Sequence, residues 1–394
     1  MAPRSVPPAA AAGGELGRLL SLPAEEWLGR ATAEIPGPDD PVVLVGAGGL
    51  GREVARKLAG RGRAPIAFLD ETPGLRGQEV DGVPVLAFDE AVARLGTRAW
   101  FAVTIWSDRH RYLDSRSRLI AAGCTRVCSF LDLAWSEPQA LLPHYGFDLP
   151  AATLEHRDEI ESAFAILAGE ADRQEFLAQL RFRLGRDYAV LPEPSSAPYL
   201  DPGLIGPLER VTYVDGGAYD GDTFLAVLAR YGGELEAALL FEPDPRNYER
   251  LLETVSGLAP EVRSRVRCFQ AGLADRDGDA RLDALGSEGS AIADAGDQPV
   301  EVRRIDSVLG DDPTGEIVVK LDVEGSEEAA IRGGERTITS TAPIVVACLY
   351  HRPADLWRIP LLLHHYRPDY RLHIRTEGTD GAGLVCYAMP ARAD

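Results

Sequence analysis

Two stretches of this chain constrain its folding more than any other: PVVLVGAGGLG at positions 41 to 51 and VTYVDGGAYDG at 211 to 221. Each is a run of β-branched, aliphatic or aromatic residues that ends in a glycine-rich turn and opens into a helical pattern. A strand–turn–helix unit of this kind belongs to a parallel sheet, because the chain must cross back over the sheet before the next strand can pair. Two such units far apart in the sequence predict two separate sheets. The length of 394 residues agrees, since single cores stop growing beyond roughly 250–300 residues.

Charge narrows the partners. The formal net charge of -20 argues against nucleic acid as the main partner, because phosphate binding needs a basic face. It argues equally against an anionic membrane surface, and no stretch approaches the roughly 20 apolar residues of a membrane span. The opening MAPRSVPPAAAAGG lacks the apolar core and cleavage site of a signal peptide. Cys124, Cys128, Cys268, Cys348 and Cys386 lack paired zinc-site spacing. They are expected to be reduced, mostly buried thiols in a cytoplasmic protein. Basic residues are almost all arginine; Lys57 and Lys320 are the only lysines.

Periodicity divides the chain into four parts. Residues 1–40 form a lead-in with one or two amphipathic turns carrying Leu19, Leu20, Trp27 and Leu28. Residues 41–135 alternate strand and helix, beginning with VVLVGAG and LGREVARKLAGRG. Residues 136–207 are helical and then proline-rich, ending in PEPSSAPYLDPGLIGP, a linker or wrapped arm. Residues 208–394 carry a second β–α series: VTYVDGG, AALLFEP, VRCFQAGLA, EIVVKLDVEG, APIVVACLYH, YRLHIR and LVCYAMP. The expected fold class is α/β, with two Rossmann-like domains joined by a helical and proline-rich connector. A homo-oligomer is compatible with this plan.

The first turn holds the G-x-G-x-x-G spacing at Gly46, Gly48 and Gly51, with Gly49 between them. Asp70 closes the next strand, where an acid accepts from a ribose. The glycines let a ligand approach the backbone at a helix N-terminus. The alternative is a structural turn with no bound nucleotide. GAGGLGREVARKL, AFLDE and VDGVPVL resemble the small N-terminal domain of bacterial sugar acetyltransferases. That resemblance implies a nucleotide-sugar rather than redox use of NAD, and no Tyr-x-x-x-Lys constellation follows downstream.

The second turn differs. Asp215 ends its strand, Gly216, Gly217 and Ala218 follow, and Gly221 closes the turn. An acid at the strand tip would repel a pyrophosphate, so it suits a ligand with a cationic end, such as S-adenosylmethionine. Glu242, ending the next strand in LLFEPDP, is placed to accept both ribose hydroxyls, each charged bond contributing about 1.5–3 kcal/mol. The two loops are therefore expected to hold different ligands.

The stretches VDGGAYDGDT, FEPDPRNYERL, FQAGLAD, RRIDSVL and VVKLDVEGSEEAAIRGG resemble the FkbM-type class I methyltransferases, over roughly residues 208–390. The resemblance implies a seven-stranded sheet, S-adenosylmethionine as methyl donor, and Thr223, Pro243 and Ala271 as further donor contacts. Ser290, in GSEGSAI, is a contact to donor or acceptor if its loop is more than a flexible Gly-Ser turn.

Methyl transfer is an in-line displacement governed by positioning, and an alcohol acceptor also needs a base or a metal to take up its proton. Asp322 and Glu324 follow the strand IVVKL, and His351 follows VVACLY. The base is expected to be His351 or Asp322, with the other orienting it and Glu324 shaping the loop with Gly325. The competing reading makes DVEG a turn whose acids cap the next helix. Clustered carboxylates would suit Mg2+, but no complete ligand set can be read. The sequence thus predicts an O-methyltransferase for a sugar, a nucleotide-sugar or a glycosylated natural-product intermediate. Its rivals are an NAD(P)-dependent nucleotide-sugar oxidoreductase and a non-catalytic scaffold.

Overall fold

The computed structural model describes residues 14–30, 35–107, 110–195, 197–283, 291–292, 298–311 and 313–391. Two mostly parallel sheets carry the architecture. The first contains β1 (Val42–Val45), β2 (Ala67–Leu69), β3 (Glu79–Val80), β4 (Val83–Leu86), β5 (Trp100–Val103) and β6 (Val127–Ser129), in the order β3-β4-β2-β1-β5-β6. Only the β3–β4 pair is antiparallel. Strand order reverses at β1, which has β2 on one side and β5 on the other.

The C-terminal sheet contains β7 (Val211–Gly216), β8 (Leu235–Phe241), β9 (Val266–Phe269), β14 (Glu316–Leu321), β15 (Ile344–Cys348), β16 (Arg371–Thr376) and β17 (Leu384–Met389). Its order is β16-β17-β15-β14-β7-β8-β9, with β17 antiparallel to both neighbours. The central strands read as unbroken apolar runs because helices cover both faces: IVVAC of β15 is buried at every position. Each of its Ile and Val side chains contributes about 1.5–3 kcal/mol on burial.

A smaller sheet holds β10 (Ala271–Leu273), β11 (Gly278–Asp283), β12 (Ala291–Ile292) and β13 (Gln298–Arg303). The run VRCFQAGLA, expected as one strand, is divided between β9 and β10 at Gln270. Its first half pairs with β8 and its second with β13, so an apolar run alone did not reveal the change of partner.

The connecting helices lean on the C-terminal sheet. Leu16, Leu19, Leu20 and Trp27 share one core with Phe176 and Leu180 of the helix Glu170–Gly185 and with Leu372 of β16. Arg183 of that helix is buried and donates to the carbonyls of Leu349 (2.9 Å) and Pro353 (3.1 Å). The two large sheets meet through the turn after β16. Thr379 Oγ1 donates to the carbonyls of Ser107 (3.0 Å) and His110 (2.6 Å), and Trp106 Nε1 donates to Asp380 O (3.1 Å). All five cysteines are free thiols, four of them buried. Among the described residues no helix is long and apolar enough to cross a membrane.

Candidate active site at the carboxyl ends of the C-terminal sheet

Strand order in the C-terminal sheet reverses at β7, which lies between β8 and β14. Ligands of open α/β sheets bind outside the carboxyl ends at such a point. The tips of β7, β8, β14 and β15 deliver Asp215, Glu242, Asp322 and His351 to this edge.

The glycine turn is shaped by close approach. Gly217 has φ +75°, and a Cβ there would lie 1.8 Å from Asp322 O. Gly216 faces Leu273 and Val323, and Gly221 has φ +90°. The N–H groups of Gly217 (3.0 Å) and Ala218 (2.9 Å) both donate to Phe241 O, which binds the turn to β8. Ala218 and Ala271 are buried, Thr223 and Pro243 half-buried. Ser290 lies outside the described residues.

Asp215 does not present its charge to a ligand as expected. It is fully buried, its Oδ1 lies 3.0 Å from Lys320 Nζ, and its Oδ2 accepts from Tyr213 OH at 3.1 Å. The register explains the pair, because Asp215 of β7 stands directly beside Lys320 of β14. Lys320 Nζ also donates to Gly217 O at 2.6 Å. Burial works against its ammonium, but Asp215 outweighs it and raises the lysine pKa. The acid anchors the turn from below.

Glu242 stands at the tip of β8, next to the glycine turn. It is 5% exposed, Oε2 accepts from Tyr219 N–H and Oε1 from Asp244 N–H, both at 2.9 Å. The Asn247 side chain is a further hydrogen-bond partner of this carboxylate. Burial, opposed by those N–H groups and helped by the Asp244 charge, raises its pKa to about 7. A buried carboxylate beside a turn closed from below by an ion pair suits the ribose of a nucleoside that carries no phosphate, so S-adenosylmethionine fits this edge.

Across the crevice Asp322, Glu324 and His351 do converge. His351 Nε2 lies 3.3 Å from Asp322 Oδ1 and 3.6 Å from Glu324 Oε1. Its Nδ1 is 2.7 Å from Oε1 of the fully buried Glu327, which also accepts from Val323 N–H at 2.8 Å. Burial disfavours the charged ring, yet Glu327, Glu324 and Asp322 overcome it and hold the His351 pKa at about 10. Nδ1 faces Glu327 while Nε2 faces Asp322 and Glu324, so the ring links all three carboxylates. Burial would raise Asp322, but Lys320, His351 and the Tyr199 hydroxyl bring it below the usual carboxylate range. Glu324 sits at φ +50°, strained backbone in the loop after β14, and burial with its neighbouring carboxylates raises its pKa to about 7.

Several site groups gave no signal in the sequence. Tyr199, from the proline-rich arm, donates to Asp322 Oδ2 at 2.9 Å. Cys348 Sγ donates to Asp322 Oδ1 at 3.3 Å. Tyr145, from the connector, hydrogen-bonds Glu324, with its ring 6.0 Å from His351. Trp106, just past β5, packs its ring 4.6 Å from Tyr145 and 6.3 Å from Tyr350.

The N-terminal turn forms a second locus. A Cβ on Gly51 would lie 2.0 Å from Gly46 O and one on Gly46 2.6 Å from Ile105, whereas Gly48 and Gly49 face open space. Asp70 Oδ2 accepts from Ala47 N–H and Oδ1 from Thr72 N–H, both at 2.8 Å. Burial opposes these bonds, but they prevail and hold its pKa low. A cavity of about 460 Å3 opens here, lined in part by Gly46, Asp70, Phe88, Ile105 and Arg118.

The fold and the crevice define a methyltransferase domain on a doubly wound sheet. Residues 215–371 match the model of the methyltransferase FkbM domain, and the chain carries an FkbM-family methyltransferase domain. The crystal structure of the methyltransferase FkbM from Methylobacillus flagellatus KT is similar with a TM-score of 0.73 and 22% identity, covering 92% of this chain and 98% of that one. At that identity the likeness speaks for the fold, across both large sheets. A 105-residue stretch is 31% identical to the redox-sensing transcriptional repressor Rex of Streptomyces coelicolor. It takes in 26% of this chain and 41% of the repressor, so the chain matches well under half of that relative.

Proposed function

We propose that this methyltransferase modifies a hydroxyl oxygen of a sugar, nucleotide-sugar or glycosylated intermediate. The observation that carries the reading is the pairing of a buried ribose acceptor, Glu242, with the carboxylates of Asp322 and Glu324 on the other side of one crevice. S-adenosylmethionine, when bound, supplies a methyl group on a cationic sulfur. The protein's part is to hold Glu242 through Tyr219 N–H and Asp244 N–H and to keep the turn open through Gly217. Asp322 and Glu324 take the acceptor's hydroxyl as a hydrogen-bond donor and receive its proton as the new C–O bond forms. His351, fixed by Glu327, orients those carboxylates, and Tyr199 and Tyr145 restrict their motion from outside the sheet.

Calorimetric titration with S-adenosylhomocysteine tests the donor side. Wild type binds and Glu242→Ala loses binding; a wild type that does not bind would end the methyltransferase reading.

The nucleotide end of the acceptor is assigned to the cavity of the N-terminal sheet. Its volume of about 460 Å3 falls in the usual ligand range of roughly 300–1,000 Å3, and Gly48 leaves room for a ligand's close approach. Titration with UDP, with NAD(P)H alongside, should show UDP binding that Gly48→Glu abolishes. Preference for NAD(P)H would favour the oxidoreductase rival.

A further inference from the structure

The acid–histidine cluster holds one atom that hydrogen bonding does not account for. His351 is 6% exposed, and its Nε2 is buried without a hydrogen-bond partner. Asp322 Oδ1 and Glu324 Oε1 are near, at 3.3 and 3.6 Å, but out of line for a bond. The other ring nitrogen is held by the carboxylate of Glu327 at 2.7 Å. A histidine oriented by a buried carboxylate, with its free nitrogen aimed at further ligating atoms, is the usual environment of a metal-binding imidazole.

We propose that Asp322, Cys348 and His351 form a site for a divalent transition metal, Zn2+ in the first instance, in the crevice read above as the methyl-acceptor site. The inference rests on that reading only for its use in catalysis. The ligating atoms Asp322 Oδ1, Cys348 Sγ and His351 Nε2 lie within 4.8 Å of one another. Oδ1 is 3.3 Å from Sγ and 3.3 Å from Nε2. Tetrahedral zinc with ordinary bond lengths places an oxygen about 3.3 Å from a nitrogen ligand and about 3.5 Å from a sulfur. Both separations from Oδ1 are close to those of paired zinc ligands, and the Sγ–Nε2 pair stays within 4.8 Å.

The donor types select the ion. Sulfur and imidazole nitrogen favour Zn2+ over Mg2+, which takes oxygen ligands. This replaces the Mg2+ that carboxylates alone would suit. Three protein ligands leave a fourth position, as catalytic zinc sites do. Glu324 Oε1 borders it, and the Asp322 side chain, 24% exposed, marks its open side. A hydroxyl bound there would have its pKa lowered by the ion.

The test uses the full chain, dialysed against a chelator and titrated with Co2+ and then Zn2+. Wild type should take up one equivalent of Co2+ with a thiolate-to-cobalt charge-transfer band, and Zn2+ should displace it. Cys348→Ser should lose that band, and Glu327→Gln should bind about 10–100-fold more weakly. Binding of S-adenosylhomocysteine by both variants would show that they are folded. No metal uptake by wild type, or a band that survives Cys348→Ser, overturns the proposal. Uptake without S-adenosylhomocysteine binding would leave the metal site standing and remove the methyl-donor reading; binding without uptake does the reverse.

Discussion

Lys320 and Asp215 form an ion pair in the middle of the C-terminal sheet, with side chains 3% and 0% exposed. Removing one member leaves an uncompensated buried charge, so Lys320→Met should lower the unfolding free energy by about 3–5 kcal/mol. Adding Asp215→Asn should restore part of it; urea denaturation of both variants measures this. Glu242 gives a pH signature. With a pKa near 7 it is ionised, and able to accept from hydroxyls, above that pH. Affinity for S-adenosylhomocysteine should rise about tenfold from about pH 6 to about pH 8, following the competent fraction, and the rise should vanish in Glu242→Gln. The same shift works against folding as pH climbs from about 4.5 to 7, because the unfolded chain ionises first. At this scale the reading of single residues was uneven. Glu242, Asp322, Glu324 and His351 stood at strand tips and were legible there. Tyr199, Tyr145, Glu327 and Cys348 were not, since their roles come from neighbours up to 179 residues away, as in the Tyr145–Glu324 contact (324 − 145).

The turns show how an element's geometry turns one methyl group into a test. A Cβ at Gly51 or Gly217 meets a carbonyl oxygen at 2.0 or 1.8 Å, while Gly48 has nothing within 4 Å. Gly51→Ala should therefore destabilise the protein by about 1–3 kcal/mol, with Gly48→Ala within about 0.5 kcal/mol of wild type; thermal melts compare them directly. Gly217→Ala displaces Asp322 as well and should lose S-adenosylhomocysteine binding. The strands and helices around these turns follow the β-branched runs and helical spacing that the sequence displays. The division of VRCFQAGLA between two sheets does not, because both halves are equally apolar and the partner strands decide.

The two sheets behave as one object through the turn that carries Thr379 and Asp380. Asp380 Oδ2 accepts from Tyr112 N–H at 2.5 Å, and Trp106 bridges to Tyr145 and Tyr350. Trp106→Ala should cost on the order of 2–3 kcal/mol, below the range for a fully buried ring. It should also split a single calorimetric transition into two, the N-terminal sheet melting first.

The sequence by itself determined the α/β class, the two glycine turns, most of the strands met along the chain and the acids at their tips, because period-2 and period-3.6 patterns and glycine placement are local properties. Tertiary structure alone decided that Asp215 faces Lys320 rather than a ligand, and that Glu327 fixes His351. It also brought a tyrosine from the proline-rich arm onto Asp322. Those outcomes depend on strand register and on which distant segments pack together, and no local pattern encodes them.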